Sequence, residues 1–173
     1  MASGATHARI AVAMQFPLTV AGVAVALVDP ALGAGIVAGG LVGVFITPDI
    51  DHQKRTHEER RIYAFDRTLG IVWQWLWSGY ALLMPHRGLS HMIVLGTLTR
   101  VLYALFLARM LSWIWYGAAS GVCYLANCTL PEFNVWPFLL MYPQAWVGGL
   151  LAWMVQDSIH IVTDWLSSGG DHD

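Results

Sequence analysis

Apolar residues in this chain come in long runs separated by short polar segments, not in the rhythm of helices half-buried in a soluble core. Residues 10–28 are apolar apart from Gln15 and Thr19, and a helix over them rises about 28 Å, close to the hydrocarbon thickness of a bilayer. Asp29-Pro30 breaks the run. A second apolar run, 31–47, is rich in Gly and Ala, small residues that let helix backbones approach closely in lipid. The short break predicts an antiparallel hairpin.

Residues 48–68, PDIDHQKRTHEERRIYAFDRT, hold much of the basic charge and read as a solvated segment. Residues 69–84 are apolar and aromatic but short for a span, which predicts a re-entrant or interfacial helix. PHRGLSH follows at 85–91. A long apolar stretch, 92–116, is interrupted by Arg100 and Arg109, and 117–135 form a Gly- and Pro-containing connector. The last run, 136–155, leads directly into QDSIHIVTDW and a polar tail. The pattern predicts an all-α polytopic membrane bundle of about four transmembrane helices plus one short re-entrant or interfacial helix. It is read as one membrane-embedded metal-binding domain over 1–173. No small-residue cleavage site ends the first run cleanly, so that run is read as a retained anchor.

Composition agrees. Hydrophobic residues make up 57% and charged residues 12%, against about 25% charged in soluble domains. Many of the Trp residues lie near the ends of apolar runs, where interfacial rings sit. A net charge of -2, with no basic-aromatic patch, argues against a nucleic-acid partner. The partner expected from these features is the lipid bilayer. Cys123 and Cys128 do not have zinc-ribbon spacing; they fit either two small apolar residues or a disulfide on an oxidising membrane face.

Four segments carry the polar chemistry: His7; Asp49, Asp51 and His52 in PDIDH; His86 and His91 in HRGLSH; and Asp157, His160 and Asp164 in the last helix. Imidazole and carboxylate together suit zinc and other divalent first-row ions. If 69–84 does not cross, four spans bring all four segments to one membrane face. If it crosses, one metal cannot hold them all. Asp157, His160 and Asp164 share one helical face by spacing, and Asp49 and Asp51 would point the same way in an extended segment. Taken singly, His7 is equally an exposed terminal residue, PDIDH a helix end, and HRGLSH a turn with Ser90 as helix cap. His57 and His172 read as solvated. Arg9, Lys54, Arg55, Arg60, Arg61, Arg67 and Arg87 fall on the motif side in this topology, which places that face in the cytoplasm of a bacterial-type inner membrane. Arg100 fits either a snorkelling or paired cation or an anion clamp. Arg87, between two candidate ligands, is the better clamp.

PDIDH, HRGLSH and the terminal HIVTD resemble the signature of the YdjM-like membrane-bound metal-dependent hydrolases. SGATH followed by ARI, and HRGLSHMIVLGTLTRVLY, are more similar still to a sister family of metal-binding membrane proteins. The resemblance covers nearly the whole chain, least distinctively over 117–135. It implicates His7, Asp49, Asp51, His86, His91, His160 and Asp164 in metal binding, and it implies hydrolysis. The expected activity is metal-dependent hydrolysis of a phosphoester or other membrane-associated, lipid-linked or phosphorylated substrate at the cytoplasmic face. One or two divalent ions would serve, zinc foremost. His86, His91, His160 and Asp51 lead as ligands. Asp49 and Asp164 act as ligands or beside them, one spare carboxylate acts as general base, and Arg87 holds substrate charge. The alternatives are a non-catalytic membrane metal-binding protein and a scaffold. A transporter would need ionisable groups near the bilayer midplane, whereas these cluster at one edge.

Overall fold

The structure is a computed structural model that describes residues 4–51, 56–84, 89–126, 128 and 140–168. Its helices are α1 (Gly4–Ala26), α2 (Pro30–Phe45), α3 (His57–Phe65), α4 (Arg67–Leu83), α5 (Ile93–Ala126) and α6 (Pro143–Ser168). Two 3₁₀ turns, Pro48–Asp51 and Leu89–His91, precede α3 and α5. Among the described residues there is no strand, so the fold class is all-α. Two helices, Ala5–Ala26 and Ile93–Ala126, are long and apolar enough to cross a membrane, and Pro30–Phe45 is a shorter apolar helix.

The Asp29-Pro30 break is a helix start as well as a turn. The Asp29 carboxylate accepts from the Leu32 amide at 3.0 Å, and Pro30 occupies the first turn, where its missing N–H costs nothing. The segment 48–68 is not plain solvated chain: it contains α3, opened by a reciprocal cap between Thr56 and Glu59. Asp66 caps α4 by accepting from Leu69 N at 2.8 Å. The connector expected from residue 117 is helical as far as Ala126. Gly117 and Gly121 meet nothing within 4 Å, and an exposed helical glycine costs only about 1 kcal/mol relative to alanine. At the end of α5, Cys123 and Cys128 are joined as a disulfide.

α2 is the central packing element. Its Gly33 faces the Gly22 carbonyl of α1, where a Cβ would lie 2.4 Å from that oxygen. On its other side, a Cβ at Gly35 would lie 2.1 Å from the Ala145 oxygen and one at Gly39 2.0 Å from the Gly149 oxygen of α6. These are backbone-to-backbone contacts that no side chain can enter, the packing that small residues allow between helices in lipid. Gly43 continues the register against Gln156, so α2 and α6 run parallel, while α1 runs antiparallel to α2. Gln156 ties three helices together by donating to the carbonyls of Ala11 at 3.1 Å and Gly40 at 3.5 Å.

α5 runs antiparallel to α6: Thr97 and Arg100 meet Asp157, and the Arg100 guanidinium lies 5.9 Å from the Trp153 ring centre. The start of α1, the end of α2, the start of α5 and the second half of α6 therefore reach one end of the bundle. α4 packs against the first 3₁₀ turn and alongside α5. Buried Trp77 and Tyr80 hold Ile50 of the first 3₁₀ turn, Tyr80 and Thr99 are hydrogen-bonded at 2.9 Å, and Tyr103 donates to the Leu76 carbonyl at 2.7 Å. Pro48–Asp51 is thus a turn anchored by its apolar member, not the extended segment expected from PDIDH.

Candidate metal centre

Three elements supply the donors. Asp49 sits on the turn after α2, His91 ends the turn before α5, and His160 and Asp164 lie one turn apart on the same face of α6. His160 Nε2 is 3.4 Å from Asp49 Oδ2 and 3.7 Å from Asp164 Oδ2, and His91 Nε2 is 3.7 Å from Asp49 Oδ1. One donor atom from each of the four residues can be chosen so that all lie within 4.8 Å of one another. Ligands of a tetrahedral zinc ion, bonded at 2.0–2.1 Å, stand roughly 3.3 Å apart. The closest pairs here, at 3.4–3.7 Å, are a few tenths of an ångström looser, and the four donors as a set, within 4.8 Å of one another, would draw in on an ion.

The donors also look prepared for a cation. His160 Nε2 is buried and has no hydrogen-bond partner, an unmet requirement that a coordinated ion would satisfy. Burial pushes the Asp49 carboxyl up, but the His160 and His91 imidazoles 3.4 and 3.7 Å away outweigh this and hold it well below the usual carboxylate range. It is therefore ionised and available as a ligand at neutral pH. Ser90 Oγ lies 3.2 Å from His91 Nδ1. With Nδ1 protonated and donating to Ser90, Nε2 presents its lone pair to the cluster. Two imidazole nitrogens and two carboxylate oxygens fit zinc or another first-row divalent ion, and they do not select among them.

His7 stands beside the four donors. Its Nε2 is 3.1 Å from Asp164 Oδ1, and its ring stacks on His160 with centroids 4.1 Å apart. Asp164 therefore turns one oxygen to His7 and the other to the cluster. In this arrangement His7 would orient a candidate carboxylate ligand. His7→Gln should weaken zinc binding roughly 10–100-fold without abolishing it, the usual cost of losing such a partner, as measured by competition with a chromophoric chelator. A loss as complete as that of a direct ligand would make His7 a ligand itself.

Among the sequence-predicted site residues, the structure brings together Asp49, His91, His160, Asp164 and His7. Asp51 has its backbone in the first turn, and its side chain lies outside the described residues. His52, His86 and Arg87 also lie outside them. Asp157, grouped with His160 by spacing, faces α5 instead and pairs with Arg100. Arg100 is thus the paired cation of the two sequence readings and not an anion clamp. Ser90 and Thr97, both fully buried, carry contacts that sequence reasoning missed. Their signal was a hydroxyl next to a candidate ligand and a threonine one turn before a buried arginine.

The family model described as "Uncharacterized metal-binding protein (DUF2227)" matches residues 2–172. No curated protein and no solved structure matches the chain.

Proposed function

The chain belongs to the metal-binding family DUF2227, and from that premise we propose that it is a membrane-embedded, metal-dependent hydrolase acting on a phosphoester of a membrane-associated substrate. The observation that carries this reading is the accessibility of the donor cluster. Asp49, Asp164 and His91 are 24%, 20% and 13% exposed while His160 is 5% exposed. Three of the four donor side chains are thus partly exposed, which suits the open position a catalytic centre needs and a closed structural site lacks. A bound divalent ion would supply a water of lowered pKa and polarise a phosphoryl oxygen. His91, His160 and Asp49 would hold it, Asp164 would complete the set or take a proton from water, and Arg87 would bind substrate charge. Asp51 and His86, in the same sequence motifs as Asp49 and His91, are proposed as further ligands, with zinc as the ion. The resemblance of PDIDH, HRGLSH and HIVTD to the YdjM-like hydrolases supports the reaction class.

Four spans, α1, α2, α5 and α6, are proposed, and the distribution of polarity supports them. Phe16, Leu27, Val28, Trp113, Leu125 and Trp165 are all at least 60% exposed, whereas Thr97, Arg100 and Asp157 are at most 1% exposed. Apolar groups outside and paired charges inside is the arrangement of a protein solvated by lipid. α5 has 34 residues and would be about 51 Å long, more than the roughly 30 Å of a hydrocarbon core. Its disulfide end favours an oxidising compartment, and the basic residues of the 48–68 segment, which opens with Pro48 and Asp49, favour the cytoplasm for the cluster. The two indicators agree on one orientation. An apolar cavity of about 450 Å³ between α2, α5 and α6, lined by Gly35, Gly39, Ala104, Leu105, Trp146 and Trp153, is of ligand size. It does not touch the donor cluster.

One observation favours a second reading. The donors come from three separate elements, so an ion there would also staple the bundle end as a non-catalytic metal-binding protein. The test is a phosphoester panel that includes lipid phosphates, run on zinc-loaded protein in lipid. Hydrolysis is expected, with Arg87→Ala retaining zinc and losing roughly 10²-fold in turnover, the scale of one removed transition-state donor. Zinc-loaded wild type that turns over nothing would leave the staple. In a Cys123→Ser, Cys128→Ser background, cysteine at Gln53 should react with an impermeant maleimide only from the cytoplasmic side, and cysteine at Gly121 only from the opposite side. Labelling of both from one side would refute the orientation.

A further inference from the structure

A buried polar network joins α6, which carries His160, to α5 and the turn before it, which ends at His91. On α6, Asp157 precedes His160 by one turn. Its carboxylate accepts from Arg100 Nη2 and from Thr97 Oγ1, both on α5. The same guanidinium reaches back with Nη1 to the Ser90 carbonyl at 3.4 Å. Ser90 in turn places its hydroxyl 3.2 Å from His91 Nδ1. Arg100 can make this reach because Gly96 lets the Leu89–His91 turn lie back on the first turn of α5; a Cβ at Gly96 would stand 2.1 Å from the Ser90 oxygen. Ser90, Thr97, Arg100 and Asp157 are each at most 1% exposed.

We propose that Arg100 is a positioning residue for the metal centre: by holding Asp157 on one side and the Ser90 carbonyl on the other, it keeps His160 and His91 in register with each other. This inference rests on the metal-binding reading of the cluster and adds the device that aligns the ligand on α6 with the ligand on the turn before α5. Fold stability alone does not account for the pair. Replacing a buried ion pair with well-packed apolar residues is often neutral or stabilising, and a lipid-solvated bundle has no general need of a charge there. The chemistry of arginine does account for it. A planar fork offers donors in two directions at fixed angles, so one side chain can satisfy a carboxylate on α6 and a carbonyl at the start of α5 together. A lysine at this position could satisfy the carboxylate as a point charge but would lack the second arm.

The test uses full-length protein in lipid nanodiscs with Zn²⁺ and Co²⁺ as probes. In the double variant Arg100→Leu, Asp157→Leu no unpaired charge remains, so the thermal transition should stay near that of wild type. Zinc affinity should nevertheless fall 10–100-fold, the range for losing the groups that orient ligands, and the Co²⁺ d–d spectrum should change. Arg100→Lys, which retains the charge and the fold, should show a smaller loss of the same kind. Wild-type zinc affinity and an unchanged Co²⁺ spectrum in both variants would overturn the proposal and leave the pair as a helix tie. If the double variant fails to fold, Arg100→Lys decides alone by the same two readouts. A wild type that binds neither Zn²⁺ nor Co²⁺ would overturn the metal reading instead, and the wild-type titration separates that outcome from the failure of the network.

Discussion

Purified His160→Ala protein should lose zinc under conditions in which wild type retains it. His160 is the most central donor: its Nε2 lies 3.4 Å from Asp49 and 3.7 Å from Asp164, is buried, and has no hydrogen-bond partner. Structural zinc sites bind with about 10–16 kcal/mol in total. One ligand of four then contributes about 2.5–4 kcal/mol, or roughly 10²–10³-fold in affinity. The alanine variant also frees Asp49 from its closest imidazole and leaves two carboxylates with less to neutralise them. Metal content after dialysis against a weak chelator measures the loss. Equal retention by wild type and variant would show that zinc is bound elsewhere.

Gly39→Ala should be the most damaging single-methyl substitution among the glycines of α2. The added Cβ would stand 2.0 Å from the Gly149 oxygen and 2.4 Å from its Cα, and neither atom belongs to a side chain that can swing away. Overpacking of this kind costs about 1–3 kcal/mol and occasionally more, and backbone opposite backbone puts the cost at the upper end, near 3 kcal/mol. Because α6 carries His160 and Asp164, pushing it from α2 should also weaken zinc binding. Gly117→Ala on α5 is the control, since nothing lies within 4 Å of a Cβ there, and it should be neutral or gain up to about 1 kcal/mol in helix propensity. Thermal unfolding in detergent compares them. If the two variants melt together, the close approach of α2 and α6 is not what holds the bundle.

Much of this arrangement was legible in the residues. The apolar runs on either side of Asp29-Pro30 announce the hairpin, and the one-turn spacing of His160 and Asp164 announces a shared helical face. Asp49 and His91 were found as motif members, and the bundle brings them to that face. What the pattern missed depends on partners distant in the chain. Asp157 has the spacing of a site residue, but Arg100, 57 positions away, turns it toward α5. Polar composition hid α3, although T-x-x-E at Thr56 and Glu59 marked its start. The Gly-containing stretch after 116 suggested an end to α5 that only a proline or a tertiary contact would enforce. The spacing of Cys123 and Cys128 was compatible with two readings, and only their proximity at the helix end distinguishes a disulfide. PDIDH could be taken as extended until Trp77 and Tyr80 supplied the pocket that turns Ile50 inward.

The central claim is that one divalent ion joins the turn after α2, the start of α5 and the last part of α6. Anomalous diffraction at the zinc edge, from crystals of the zinc-loaded full-length protein, tests it most directly. The account predicts a peak within about 2.0–2.2 Å of donor atoms of His91, His160 and Asp49, with Asp164 in the same shell or hydrogen-bonded to His7 beside it. A zinc-loaded crystal with no peak among these side chains, or with His91 and Asp49 on opposite sides of the bundle, would contradict it.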